Sequence, residues 1–108
     1  MNDATPAPGP VLTERQRKHL RGLGHALKPV ARLGNAGVSA AFLAELEVAL
    51  AHHELVKLKV SAASREDRDA AIEVAAARTG AAVITRVGTM ALLYRPRPDG
   101  TRLALPPA

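Results

Sequence analysis

The chain has 108 residues, which predicts one domain with a single hydrophobic core. Apolar residues make up 47% of the sequence and charged residues 23%, which excludes a wholly disordered chain, and no apolar run is long enough to span a membrane. Cysteine is absent, so disulfides, thiol catalysis and thiolate metal sites are excluded.

The charge is unevenly distributed around a net value of +5. Residues 1–37 hold six basic and two acidic residues (+4), residues 38–79 hold five and seven (−2), and residues 80–108 hold four and one (+3). Such a surface favours a polyanionic partner, of which nucleic acid is the commonest. Only Phe42 and Tyr94 are aromatic, so contacts with nucleic acid are expected to be made mainly through phosphates.

The N-terminal segment predicts a tail followed by a helix. Residues 1–11 show no periodicity and are expected to form a flexible tail. The start of the chain has neither the basic head nor the apolar stretch of a secretory signal, so a cytoplasmic location is expected. A capping box at Thr13 and Gln16 begins the helix, which should end between Leu23 and Leu27. At about 100° per residue, apolar and basic positions fall on opposite sides. The apolar side holds Leu12, Gln16, Leu20, Leu23 and Leu27, and the basic side holds Arg17, Lys18, Arg21 and His25.

The rest of the chain alternates between strand and helix patterns. In the second strand Lys57 and Lys59 point away from the apolar face. Gly88-Thr89 suits the turn of a two-residue β-hairpin. Residues 99–108 form a C-terminal extension, in which residues 101–106 are expected to pack back on the domain as an edge segment. The predicted elements are a strand at 30–33, a helix at 39–53, a strand at 55–60, a helix from Ser64 to Gly80, and strands at 82–87 and 90–95. This order, α-β-α-β-α-β-β, predicts an α/β fold with a mixed four-stranded sheet packed by helices.

The segment Gly34-Asn35-Ala36-Gly37 connects a predicted strand to a predicted helix. Two glycines around two small residues permit a tight turn with outward-facing amides, and the helix dipole adds partial positive charge. Such a loop can lie against a sugar–phosphate backbone, as the GXXG loop of KH domains does, although many such turns hold glycines for steric reasons alone. Nearby basic residues favour the binding interpretation: Arg15, Arg17, Lys18, Arg21, Lys28 and Arg32 precede the loop, and Lys57 and Lys59 share a strand face.

Several motifs between Leu12 and Pro96 occur in a characteristic order. They are Leu20-Arg21-Gly22-Leu23-Gly24-His25, Leu27-Lys28-Pro29, the Gly34 to Gly37 loop, His53-Glu54-Leu55-Val56-Lys57-Leu58-Lys59, and Val87 to Pro96. Together they resemble the bacterial YhbY family, the single-domain form of the CRM (chloroplast RNA splicing and ribosome maturation) domain. The resemblance implies an RNA-binding domain at residues 12–98, associated with the precursor of the large ribosomal subunit. It also implies a fold similar to the C-terminal domain of translation initiation factor three.

The predicted RNA-binding residues are the eight cations above, His25 and the four loop residues, with no catalytic residue, metal or other cofactor. His52 and His53 point about 100° apart, which does not suit a metal site, and no small-molecule substrate or membrane is expected as a partner. Two alternatives remain open: a small enzyme that binds a phosphorylated substrate, and a module whose basic face binds an acidic protein. The acidic residues expected to face away from RNA are Glu45, Glu47, Glu66, Asp67 and Asp69.

Overall fold

A computed structural model describes residues 9–34, 37–101 and 103–107. Most of the predicted tail, residues 1–8, and the two central residues of the predicted loop, Asn35 and Ala36, lie outside the described residues. The elements follow the predicted order and are α1 (Glu14–Gly24), β1 (Pro29–Leu33), α2 (Ala40–His53), β2 (Leu55–Val60), α3 (Arg65–Thr79), β3 (Ala82–Val87) and β4 (Met90–Tyr94).

The helix termini confirm the local predictions. The hydroxyl of Thr13 accepts a hydrogen bond from the Gln16 amide at 3.1 Å, and the Gln16 side chain accepts one from the Thr13 amide at 3.0 Å. The hydroxyls of Ser39 and Ser64 cap α2 and α3 in the same way. Gly80 ends α3 with a φ of +72°, a conformation that favours glycine. These caps explain why three short helices begin and end where the sequence indicates.

The four strands form one mixed sheet in the order β1-β2-β4-β3. Strand β1 pairs in parallel with β2, and α2 makes the crossover between them, whereas β4 is antiparallel to both β2 and β3. Gly88, at the hairpin between β3 and β4, has a φ of +59°. The prediction of a mixed four-stranded sheet is therefore confirmed.

Each face of the sheet carries its own core. Helices α2 and α3 pack on one face and form the larger core with alternate residues of the strands. Helix α1 packs on the other face over a smaller core, which we call the α1 core. The buried residues of the α1 core are Leu20, Leu55, Ala82, Ile84, Leu92 and Tyr94. No helix in the described part of the chain is long and apolar enough to cross a membrane.

The faces of α1 differ from the prediction. The buried side is centred on Leu20 and Gly24, while Leu23 is 39% exposed. A Cβ atom on Gly24 would lie 2.6 Å from Cδ2 of Leu92, so glycine is what allows the last turn of α1 to approach β4. With Leu20 and Gly24 packed on the sheet, Arg17 also lies beside it, and its guanidinium donates a hydrogen bond to the Val83 carbonyl at 2.9 Å. Arg17 is therefore not on a surface opposite the packed side.

The C-terminal segment packs back, but not as a strand. Leu103 and Leu105 contact the α1 core, and the Gln16 side chain donates a hydrogen bond to the Pro106 carbonyl at 3.0 Å. The hydroxyl of Thr101 donates to the buried carboxylate of Glu54. Residues 103–107 contain no strand, because these side-chain contacts and one carbonyl hold them over the α1 core rather than at a sheet edge.

Candidate nucleic-acid interface

The α1 side of the sheet is covered at one end and open at the other. Leu55 and Tyr94 pair at the covered end, beneath α1 and the C-terminal segment. Beyond them the same face is crossed by two rows of paired residues, which we call the open face. The first row is Lys57, Leu92 and Thr85, and the second row is Arg32, Lys59, Met90 and Val87. The open face is thus basic on β1 and β2 and mostly apolar on β4 and β3.

A depression of about 230 Å³ lies where the C-terminal end of α1 meets the open face. Arg21 and His25 approach it from α1, and Lys57 approaches it from β2. His25 caps the helix, and the helix dipole favours cations at this end. Arg21 and His25, one helical turn apart, and Lys57, which is distant in sequence, therefore border one small cavity.

Within the part of the chain that the structure describes, Arg21 pairs with the carboxylate of Glu14. Their atoms lie 2.7 Å apart, and the Arg21 side chain is 35% exposed while that of Glu14 is 76% exposed. The hydrogen bond from Arg21 and its positive charge lower the pKa of Glu14 below its usual value. Exposed ion pairs of this kind contribute little to stability. Breaking this ion pair therefore costs little free energy, and the Arg21 guanidinium can bind an incoming anion instead.

Three further predicted cations extend this surface. Arg32 and Lys59 are aligned partners on β1 and β2, in the row next to Lys57. Lys28 borders a second depression, formed with residues such as Leu27 and Val30, that also includes Lys57. The structure therefore brings together six of the predicted side chains: Arg21, His25, Lys28, Arg32, Lys57 and Lys59.

Three other predicted cations lie elsewhere on α1. Arg15 and Lys18 border a separate depression with Gly22 on the outer side of the helix, away from the sheet. Arg17 is engaged with the Val83 carbonyl near the edge strand β3. The basic surface of α1 expected from the helical pattern is thus divided into an outer part and a part beside the sheet.

The turn after β1 lies at the edge of the open face. The Gly37 amide donates a hydrogen bond to the Gly34 carbonyl at 3.0 Å, and Gly37 has a φ of +84°. The left-handed conformation explains glycine at position 37. At Gly34 the φ is not positive, and an added Cβ would have no neighbour within 4 Å. Contacts within the described residues therefore give no steric reason for glycine at position 34.

The five acidic residues expected to face away from RNA belong to α2 and α3, on the opposite side of the sheet. Glu45 and Glu47 belong to α2, whose packed side contacts the larger core, and Glu47 pairs with Arg95 at 2.6 Å. On α3, Asp69 pairs with Arg86. Tyr94 is buried, and this burial raises the pKa of its hydroxyl above the ordinary value, so it does not serve as an exposed stacking surface. Among the described residues, no group of three or more histidine, aspartate or glutamate side chains could hold a metal ion.

Residues 12–95 match the family model of the CRS1/YhbY (CRM) domain. The chain belongs to the CRM domain family. A curated relative from Haemophilus influenzae, named an RNA-binding protein, is 41% identical over 95 residues, which cover 88% of this chain and 95% of the relative. A protein of Pseudomonas aeruginosa, named a probable RNA-binding protein, is also 41% identical, over 87 residues that cover 81% of this chain and 84% of that protein.

A solved structure supports the same assignment of the CRM fold. The solution structure of a Staphylococcus aureus protein, described as a candidate RNA-binding protein, superposes with a TM-score of 0.77 at 25% sequence identity. The match covers 89% of this chain and 100% of that protein. The resemblance expected from the motifs is therefore confirmed at the level of family and fold.

Sequence reasoning missed the apolar part of this CRM-domain surface. Thr85, Val87 and Met90 line the depression beside α1, and Val87 is 68% exposed. Their strands are nearly continuous apolar runs, which conceal which residues point to which face. The pairing of β4 with β2 and β3 decides the face: Leu92 pairs with both Lys57 and Thr85, so the three residues share it, and no local pattern in the sequence indicates this pairing.

Proposed function

We propose that this CRM-domain chain is a non-enzymatic RNA-binding protein of the cytoplasm that acts in assembly of the large ribosomal subunit. The observation that carries the proposal is the open face, where Arg32, Lys57 and Lys59 lie together, with Arg21 beside them at the end of α1. Clustered cations on one face provide the electrostatic contact that phosphates require. The names of the relatives, which describe RNA-binding proteins, support the same partner.

The turn between β1 and α2 extends the proposed contact. Gly34 immediately follows β1, which carries Arg32, and among the described residues nothing lies within 4 Å of a Cβ atom added to it. A residue without a side chain at this place leaves room for a sugar–phosphate backbone to approach the amides. In this proposal, the missing side chain of Gly34 lets the RNA backbone come close, whereas Gly37 is glycine because the turn requires a positive φ there.

A pair of matched variants tests the turn. Gly34→Asp places a carboxylate where a phosphate should approach, and we expect weaker RNA binding with an unchanged melting temperature. Gly22→Asp is the control, because Gly22 also has no neighbour within 4 Å of an added Cβ but lies on the outer side of α1. Anisotropy titrations and thermal melts measure both effects. Equal affinity of the two variants would remove the turn from the interface.

The assembly role rests on the family resemblance and needs a test in cell extracts. We expect the protein to sediment with precursors of the large subunit in a sucrose gradient and to lose this association after ribonuclease treatment. Association that survives complete RNA digestion would instead favour the second candidate, in which the basic face binds an acidic protein. Recovery with small-subunit precursors alone would contradict the proposed assembly step.

A further inference from the structure

The depression beside the C-terminal end of α1 combines an apolar floor with a cationic border. Leu92 is buried at its base, and Met90 and Val87 extend the floor towards the hairpin. Arg21 and Lys57 both border the depression, Arg21 from α1 and Lys57 from β2. A volume of about 230 Å³ is below the roughly 300–1,000 Å³ of typical ligand pockets, yet far above the ~30 Å³ that one water occupies. The space suits one planar ring rather than an extended ligand.

We propose that this depression, here called the base pocket, receives a single unpaired nucleobase of the bound RNA. The inference rests on the proposed function and adds the class of RNA that the open face selects. An apolar floor gains free energy by covering one face of a base. The phosphates on either side of that nucleotide then lie within reach of Arg21 and Lys57. The described residues that line the base pocket include no carboxylate, so nothing among them repels these phosphates.

The side chains around the base pocket suit an aromatic ring despite the scarcity of aromatic residues. The thioether of Met90 is polarizable and adapts its shape to a ring. The guanidinium of Arg21 can stack on the opposite face, as arginine does on nucleobases. Bases in an A-form duplex are stacked on one another and are not available for insertion, whereas bases in loops and single strands are. The base pocket therefore directs the protein to unpaired RNA.

Two probes separate base insertion from phosphate binding. One is a short oligouridylate with a single central 2-aminopurine, and the other has an abasic site at the same position. We expect the abasic probe to bind about tenfold more weakly, which corresponds to the lower part of the range for one base contact. We also expect the 2-aminopurine fluorescence to change on binding, because the base leaves its stacked neighbours. Equal affinity for the two probes without a fluorescence change would overturn the base pocket.

A variant locates the inserted base. Met90→Ala should weaken binding of the 2-aminopurine probe and leave binding of the abasic probe unchanged. Val74→Ala, which truncates an apolar side chain that is 44% exposed on α3, is the matched control and should affect neither probe. Thermal melts confirm that both variants are folded. If Met90→Ala weakens both probes equally, or neither, the base does not lie on Met90 and the inference fails.

The outcomes also distinguish this inference from the proposed function. Salt-dependent binding of both probes with equal affinity preserves the RNA-binding proposal and rejects the base pocket. Failure of both probes to bind at low salt rejects the RNA-binding proposal itself. Complete displacement of the 2-aminopurine probe by polyglutamate at equal charge concentration would indicate a general polyanion surface and would also reject the base pocket.

Discussion

Replacing two lysines of the open face should halve the salt dependence of RNA binding. The open face and the adjoining end of α1 together carry four Lys and Arg side chains, namely Arg32, Lys57 and Lys59 on the strands and Arg21 on α1. With about 0.7 counterions released per phosphate on a single strand, four contacts give a slope of log K against log salt of about −2.8. Between about 50 and 200 mM salt, the affinity should then fall roughly fifty-fold. The double variant Lys57→Gln/Lys59→Gln should show a slope of about −1.4 and a fall of about sevenfold.

The outer face of α1 provides the control for this experiment. Arg15→Gln/Lys18→Gln removes the same charge from the depression on the other side of the helix, where the structure gives no contact with the open face. We expect its slope to equal that of the unmodified protein. Fluorescence anisotropy of a labelled oligouridylate at several salt concentrations measures all three slopes. An unchanged slope in the Lys57/Lys59 variant, or an equal reduction in the control, would refute the assignment of RNA to the open face.

Three further substitutions, the first with a matched control, test particular contacts. Glu14→Gln releases Arg21 from its ion pair and should strengthen oligouridylate binding about twofold in anisotropy titrations, whereas Glu45→Gln on the opposite side of the sheet should change it little. Leu20→Ala removes a fully buried side chain of the α1 core and should lower the free energy of unfolding by about 2–5 kcal/mol in urea titrations. Ser64→Ala removes the cap of α3 and should cost about 1 kcal/mol in the same assay; a loss near zero would show that water replaces the cap.

Most of the local structure could be predicted because its causes are local. The capping box at Thr13 and the terminator Gly80 depend on residues within one helical turn, and both are present. The alternation of Val56, Lys57 and Leu58 assigned the two faces of β2 correctly, because a strand exposes successive side chains on opposite sides. The basic part of the candidate site follows directly from that alternation.

The missed features depend on contacts between distant segments. Gly24 adds no apolar side chain to the helical pattern, so nothing in that pattern indicates that α1 packs through Gly24 against Leu92. The position of β4 between β2 and β3 has no local signal either, since a hairpin can add to a sheet on either side. Leu103 and Leu105 pack against the α1 core and so cover one end of that face of the sheet. The extent of the open face depends on this contact between distant segments and could not be predicted from local patterns.

The composition of β2 itself argues for a function of the open face. This strand is central in the sheet, between β1 and β4, and such positions favour β-branched and aromatic residues over lysine. Lys57 and Lys59 lie two residues apart on one face, and Arg32 is aligned with Lys59, so three positive charges are placed near one another without a described ion pair. Folding gains nothing from this cluster, because like charges repel and the neighbouring positions would pack well with apolar residues. Removing two of these charges should therefore leave stability unchanged or raise it, so a loss of RNA binding in Lys57→Gln/Lys59→Gln would reflect the interface and not the fold.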